Sequence, residues 1–358
     1  KTTMTRKNNY RIEIMFDIES QSKSLFIGRV PYYGSASYKD DFKIYNDKII
    51  IDANRSAIIP LENVFYNHFS SLYNQVLKSL LFYYAWTRKY TKISSLEISR
   101  SRSQKILNKK IFKDKQFNQV LDSSFKLNYQ IQQGRLKELF LETPKGRTTL
   151  IAISYILSSN SIKNESDRFE KFWKAFNKLF RQITDKKKDF DCLRTLRDFI
   201  ILNPDILALS LKKVSRLNTD RLRNSIRWRG MLLDDFNTEK KTKSLSEFVL
   251  RYSDKRIMEI LLETKYGYRE TFLKNKGFFS KVDTHIKKHI DANTIKDSEI
   301  VLFLTGKYMY YVRNKTFHGE KVDSAFRLSV NKEDKELKFL NSILEPYLID
   351  LINSNDKY

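Results

Sequence analysis

The chain has 358 residues, 41% of them hydrophobic, one cysteine and a formal charge of +25, split as +13 over residues 1–150 and +12 over 151–358. That length gives room for two domains with a core each, and the charge calls for a polyanionic partner, RNA or DNA rather than an acidic protein. A lone thiol excludes an internal disulfide framework and fits a reducing cytoplasm, the absence of any apolar run of about eighteen residues excludes a spanning helix, and a start at Lys1 without a signal pattern reads as a piece trimmed or excised from something longer.

In YRIEIMFDI, Tyr10, Ile12, Ile14 and Phe16 alternate with polar or less buried neighbours, the period of a half-exposed strand. SLFIGRV and FKIYNDKIIID continue the theme, and Asn46-Asp47 between two β-rich runs predicts a hairpin turn, so the chain opens with a small sheet. A long helix is expected next, Leu61 to Trp86, with Val64, Phe65, Phe69, Leu72, Val76, Leu80 and Phe82 on or near one apolar stripe. His68 falls among them and reads as a core histidine bonded to a neighbour.

Residues 88–115 set ten Lys and Arg against only Glu97 and Asp114, with Tyr90, Ile106 and Phe112 interleaved. Such a segment either tracks a phosphate backbone, with Lys105, Lys109, Lys110 and Lys113 as contacts and the rings stacking on unpaired bases, or is a lysine-rich solvated helix face. ETPKGRTT at 142–149 reads as an interdomain turn and SSNSIKNES at 158–166 as a second polar break. Placing the boundary at the latter gives an N-terminal α+β domain, 1–157, that binds RNA or a partner, and a helical domain, 158–358. The fold class is α+β and mostly helical.

Just after that break Phe169, Phe172, Trp173, Phe176, Phe180 and Ile183 keep a three-four rhythm, a core-facing helical stripe. Further helices are expected near 190–202, 205–215, 217–229, 244–264 and 333–353, punctuated by Pro204 and Gly230. Cys192 lies in the first and reads as a buried structural thiol. RLRNSIRWRG offers Arg221, Arg223, Arg227 and Arg229; Arg223 and Arg227 are the RNA contacts to test against a plain basic helix face.

His285 and His289 have the spacing of a two-histidine metal clamp, but Ile286 stands where a zincin has Glu, so they read as a surface pair. Asp234 and Asp235 fall short of the acidic cluster of a two-metal nuclease, and no Gly-rich phosphate loop is present. No metal or cofactor is expected.

From Asp297, a candidate N-cap, Val301, Leu304, Tyr308 and Val312 mark the buried face of a helix, beside a second stripe of Lys307, Tyr311, Asn314 and His318. Asn314 and His318 are neighbours on one face, Arg313 lies about 100° round the axis, and Gly319 gives the chain an exit. A histidine titrates near neutrality and can take a proton from a ribose 2′-OH or give one to the leaving 5′-oxygen. An arginine grips the phosphate as its charge rises, an asparagine orients the histidine or the phosphate, and Lys307 and Tyr311 add RNA contacts. One copy supplies one histidine, whereas an acid and a base are needed on opposite sides of the phosphate. A symmetric homodimer would bring two together.

RNKTFHG, residues 313–319, resembles the Arg, polar residue, spacer, His signature of the HEPN superfamily (higher eukaryotes and prokaryotes nucleotide-binding domain). ESDRFEKFWKAFNKLFRQI is similar to the first long helix of prokaryotic HEPN domains, which often carries an aromatic-rich phrase of this kind. The resemblance spans roughly residues 160–358. It implies an all-α bundle and a metal-independent endoribonuclease of the kind used in toxin–antitoxin, phage-defence and CRISPR systems, with Arg313, Asn314 and His318 as catalytic residues and 2′,3′-cyclic phosphate and 5′-hydroxyl ends as products. The alternative is a non-catalytic RNA-binding and dimerisation module, or a subunit of a defence complex with an antitoxin or other protein partner.

Overall fold

Six strands form one antiparallel sheet in the order β2-β3-β4-β1-β5-β6: β1 Asn8–Phe16, β2 Ser24–Pro31, β3 Lys39–Tyr45, β4 Lys48–Arg55, β5 Ile93–Arg102 and β6 Lys105–Lys113. The computed structural model describes residues 8–32, 34–35, 37–264, 267–317 and 328–358. Tyr10, Ile12, Ile14 and Phe16 are buried, and the register sets Ile12 beside Ile51 and Ile98, and Ile14 beside Ile49 and Leu96. Period-two alternation puts all of these on one face, where each aliphatic side chain removed from water contributes about 2 kcal/mol. The helix Ser71–Thr87 covers that face, Tyr83 stacking on Phe16 at 3.8 Å between ring centres. Asn46 and Asp47 make the two-residue turn between β3 and β4, and the Tyr83 hydroxyl donates to the Asn46 carbonyl at 2.7 Å.

The sheet helix is shorter than its sequence predicts. Leu61–Asn63 is a single 3-10 turn, and the helix begins only at Ser71. Asn67 Oδ1 accepts from the Phe69 backbone N–H at 3.2 Å and Ser70 Oγ caps the Tyr73 N–H at 3.0 Å. These polar side chains take the donors a continuing helix would use. Phe69 is therefore 93% exposed rather than part of the stripe, and His68 is exposed and stacked on Tyr73 at 4.6 Å rather than in the core.

Residues 88–115 hold β5 and β6, a hairpin rather than a helix face. Its turn residues Ser103 and Gln104 take positive φ of 47° and 66°, the conformation of a tight hairpin without the Asn-Gly or Gly pair that usually announces it. ETPKGRTT, likewise, is a helix start and not an interdomain turn. Thr143 caps the Gly146 N–H at 3.0 Å, Pro144 leads the helix Pro144–Ser159, and a Cβ on Gly146 would lie 2.3 Å from the Leu141 carbonyl oxygen.

The chain divides into two compact units: Lys1–Lys163 with Lys174–Gln182 and Ile352–Tyr358, and Asn164–Trp173 with Ile183–Leu351. Along the aromatic helix Glu165–Thr184, Phe169, Phe172 and Trp173 belong to the second unit and Phe176 and Phe180 to the first; all five are buried, and Ile183 is half-buried. Every element of the second unit among the described residues is helical. Cys192 is buried there, its thiol donating to the Lys186 carbonyl at 3.3 Å. The protein is α+β and mostly α, and among the described residues no helix is long and apolar enough to cross a membrane.

A buried charge cluster organises the second unit. The Asp254 carboxylate accepts from Arg256 Nε at 3.0 Å and Nη2 at 2.8 Å, and from the backbone N–H groups of Arg256 at 2.9 Å and Lys296 at 2.6 Å. Asp297, the first residue of the next helix rather than its cap, binds Arg256 Nη2 at 2.8 Å. Burial works against the Arg256 charge, but the two carboxylates outweigh it and raise its pKa.

Candidate functional site

The motif sits on a helix with one irregularity. Asp297–Phe303 and Met309–Phe317 are α-helical, and Leu304–Tyr308 between them forms a π turn, a feature often found near functional sites. Val301, Leu304, Tyr308 and Val312 are buried, as their spacing predicts. Tyr308 locks the turn: its hydroxyl donates to Glu336 and accepts the Arg227 backbone N–H at 2.6 Å. Burial, then the Glu336 carboxylate, push the Tyr308 phenol far up, so it stays a neutral donor.

On the exposed side, the stripe of Lys307 and Tyr311 turns to the helix Trp228–Asp235. Lys307 pairs with Asp235 and lies 5.1 Å from the Phe236 ring centre; the Tyr311 hydroxyl donates to Asp234 Oδ2 at 2.9 Å, and Lys315 reaches the same carboxylate at 3.5 Å. Gly230 lies beside this contact, and a Cβ there would meet the Tyr311 oxygen at 3.6 Å, ordinary van der Waals contact, so the approach does not depend on glycine. Asp234 and Asp235, weighed from the sequence as cation ligands, are thus engaged by cations of the chain itself. Burial and the Asp234 bond raise the Tyr311 pKa, which removes it as a base near neutral pH.

Arg313 and Asn314 follow half a turn later. Both are half-buried, and Arg313 Nη1 donates to Asn314 Oδ1 at 3.0 Å. The bond links the guanidinium to the neighbouring amide, two residue types able to hydrogen-bond a phosphate oxygen. His318 and the Gly319 exit lie outside the described residues.

The other arginines expected on RNA are held by acids of the same unit. Arg223 bridges Asp220 at 3.1 Å and Glu263 at 2.7 Å, and Arg227 meets Glu336 at 2.7 Å and Glu333 at 3.9 Å. Arg223-Asn224 repeats the Arg-Asn pair of the motif, and Trp228, five residues after Arg223 where that motif has its histidine, is buried and stacked on Phe303 at 4.4 Å. His285 and His289 lie 4.6 Å apart by ring centres, but His285 Nε2 contacts the Tyr252 carbonyl at 2.7 Å, and burial lowers the His289 pKa. Among the described residues no group of three or more His, Cys, Asp or Glu is placed to hold a metal ion.

The lysines of β6 are placed differently. Lys105, Lys109, Lys110 and Lys113 are all exposed on the last strand of the sheet, and among them only Lys109 pairs with an acid among the described residues, Glu97 at 2.8 Å. Register splits them between faces: Lys110 pairs across from buried Ile98 with its side chain 5.9 Å from the Phe112 ring centre, whereas Lys109 and Lys113 stand opposite Ser99 and Ser95 on the other side. A single strand of nucleic acid running along this edge would meet cations on both flanks. Replacing Lys105, Lys110 and Lys113 together by Ala is expected to make the slope of log affinity against log salt shallower by about 2 for single-stranded RNA. A titration at several salt concentrations that gives the wild-type slope would remove β6 from the binding surface.

No family model, curated protein or solved structure matches the chain, so what these surfaces do follows from their own residues.

Proposed function

We propose that this chain is a metal-independent endoribonuclease of HEPN type. His318 takes the proton of the ribose 2′-OH or gives one to the 5′-oxygen. The 2′-oxygen attacks phosphorus, the bond to the 5′-oxygen breaks, and a 2′,3′-cyclic phosphate and a 5′-hydroxyl remain. Arg313 steadies the charge on the phosphate and Asn314 orients the reacting groups. A homodimer supplies the second histidine. A cytoplasmic role in phage defence, a toxin–antitoxin pair or CRISPR immunity belongs to the same reading, with an antitoxin or defence-complex partner restraining the cut.

The observation that carries the reading is the 3.0 Å bond between the Arg313 guanidinium and the Asn314 amide at the end of the motif helix, where the residue types required for phosphate recognition stand side by side. A second reading, RNA binding without cleavage, is supported by the exposed lysines of β6. Incubating wild type and His318→Ala with a mixed RNA pool in EDTA separates the two. Cyclic phosphate ends from wild type, with the variant slower by about 10²–10⁴ and RNA binding kept, are the expected result. Cleavage by His318→Ala at the wild-type rate overturns the mechanism, and RNA bound but uncut by both proteins favours the binding module.

A further inference from the structure

The first unit contains an apolar cleft of about 610 Å³, lined on its inner walls by Leu77 and Leu81 of the sheet helix, Leu96 and Phe112 of the sheet, and Leu121 and Leu157. Folded interiors rarely leave voids much larger than a water molecule, and this volume lies within the roughly 300–1,000 Å³ of small-molecule sites.

Three of the polar side chains on the walls are already engaged. Tyr84 donates its hydroxyl to the Thr91 carbonyl at 2.8 Å, Ser154 to the Ile151 carbonyl at 2.7 Å, and the Gln119 amide is closed on the Ile93 backbone at 2.9 and 3.0 Å. A nucleobase, a sugar or a peptide would lose its hydrogen bonds to water inside and find few replacements, which disfavours them as occupants. The mouth differs. Lys115 is exposed there and has no ion-pair partner among the described residues, while its neighbour Asp114 is held by Lys92 at 2.5 Å. Lys113 precedes it on the chain, and His68 lies exposed among the lining residues.

An apolar interior with a cationic rim fits one class of guest, and we propose that the cleft binds a long-chain fatty-acid anion, its alkyl chain along Leu77, Leu81 and Leu157 and its carboxylate at Lys115. This site is independent of the ribonuclease reading and can fail without it.

The test is calorimetric titration of the full chain with laurate, and with 1-dodecanol as the neutral control. Wild type is expected to bind laurate saturably at one per chain. Leu77→Trp, which fills the cleft, should weaken both ligands at least tenfold, and Lys115→Glu should weaken laurate several-fold while leaving dodecanol unchanged. Circular dichroism checks that Leu77→Trp folds; if it does not, the exposed Lys115→Glu carries the test alone. Absence of saturable laurate binding overturns the proposal, as does laurate affinity unchanged in Lys115→Glu. Loss of single-stranded RNA binding in Leu77→Trp without laurate binding by wild type would give the cleft to nucleotides instead.

Discussion

Asp254→Ala is expected to lower the unfolding free energy of the helical unit by about 3–5 kcal/mol, the usual cost of removing one partner from a buried ion pair. The Asp254 side chain is 0% exposed and accepts four hydrogen bonds. Truncation leaves the Arg256 guanidinium, 6% exposed, with Asp297 as its remaining carboxylate, and strips the acceptor from the Lys296 N–H at the start of the motif helix. Asp254→Asn keeps the shape and part of the acceptor capacity, so its effect should be smaller. Urea unfolding followed by circular dichroism measures both. A midpoint change worth less than about 1 kcal/mol for Asp254→Ala would mean that water replaces the carboxylate and that the cluster is not a keystone of this unit.

Arg313→Ala should slow single-turnover RNA cleavage by about 10²–10³, the range for removing one donor aimed at developing charge, while changing RNA affinity far less. Arg313→Lys should recover little of that loss. An ammonium keeps the charge but cannot at once hold Asn314 and present a planar fork to the phosphate, so the 3.0 Å contact to the amide disappears with the guanidinium. Near-complete rescue by Lys would show that only charge is needed at this position. A variant cutting at the wild-type rate would remove Arg313 from the chemistry.

Local periodicity carried most of what could be read in advance. Alternation in β1, the Asn46-Asp47 turn, the aromatic stripe of the helix Glu165–Thr184 and the buried face of the motif helix depend on neighbours in the chain, and the fold keeps each of them. β5 and β6 escaped because seven consecutive positions of β6 are exposed, leaving no alternation to detect, and because the turn uses Ser103 and Gln104. At the candidate site the sequence offers residue types but not their partners. Lys307 meets Asp235 and Arg227 meets Glu336 across separations of 72 and 109 residues, and nothing local to a basic residue shows that an acid will arrive from so far away. The π turn has no local sequence sign; its anchors are Glu336 on another helix and the Arg227 backbone just before the helix Trp228–Asp235.

The position of β6 has a consequence for how this protein behaves at high concentration. Among the described residues no strand pairs with the outer side of β6, which leaves a row of backbone donors and acceptors there, and Ile106, Leu107 and Ile111 are exposed along it, so the strand has what is needed to recruit a sheet from another copy. Lys105, Lys110 and Lys113, which pair with no acid among the described residues, oppose that, because edge-to-edge contact would crowd their like charges. A polyanion lying along the strand would neutralise that repulsion, and self-association through this edge would then depend on the salt content of the solution.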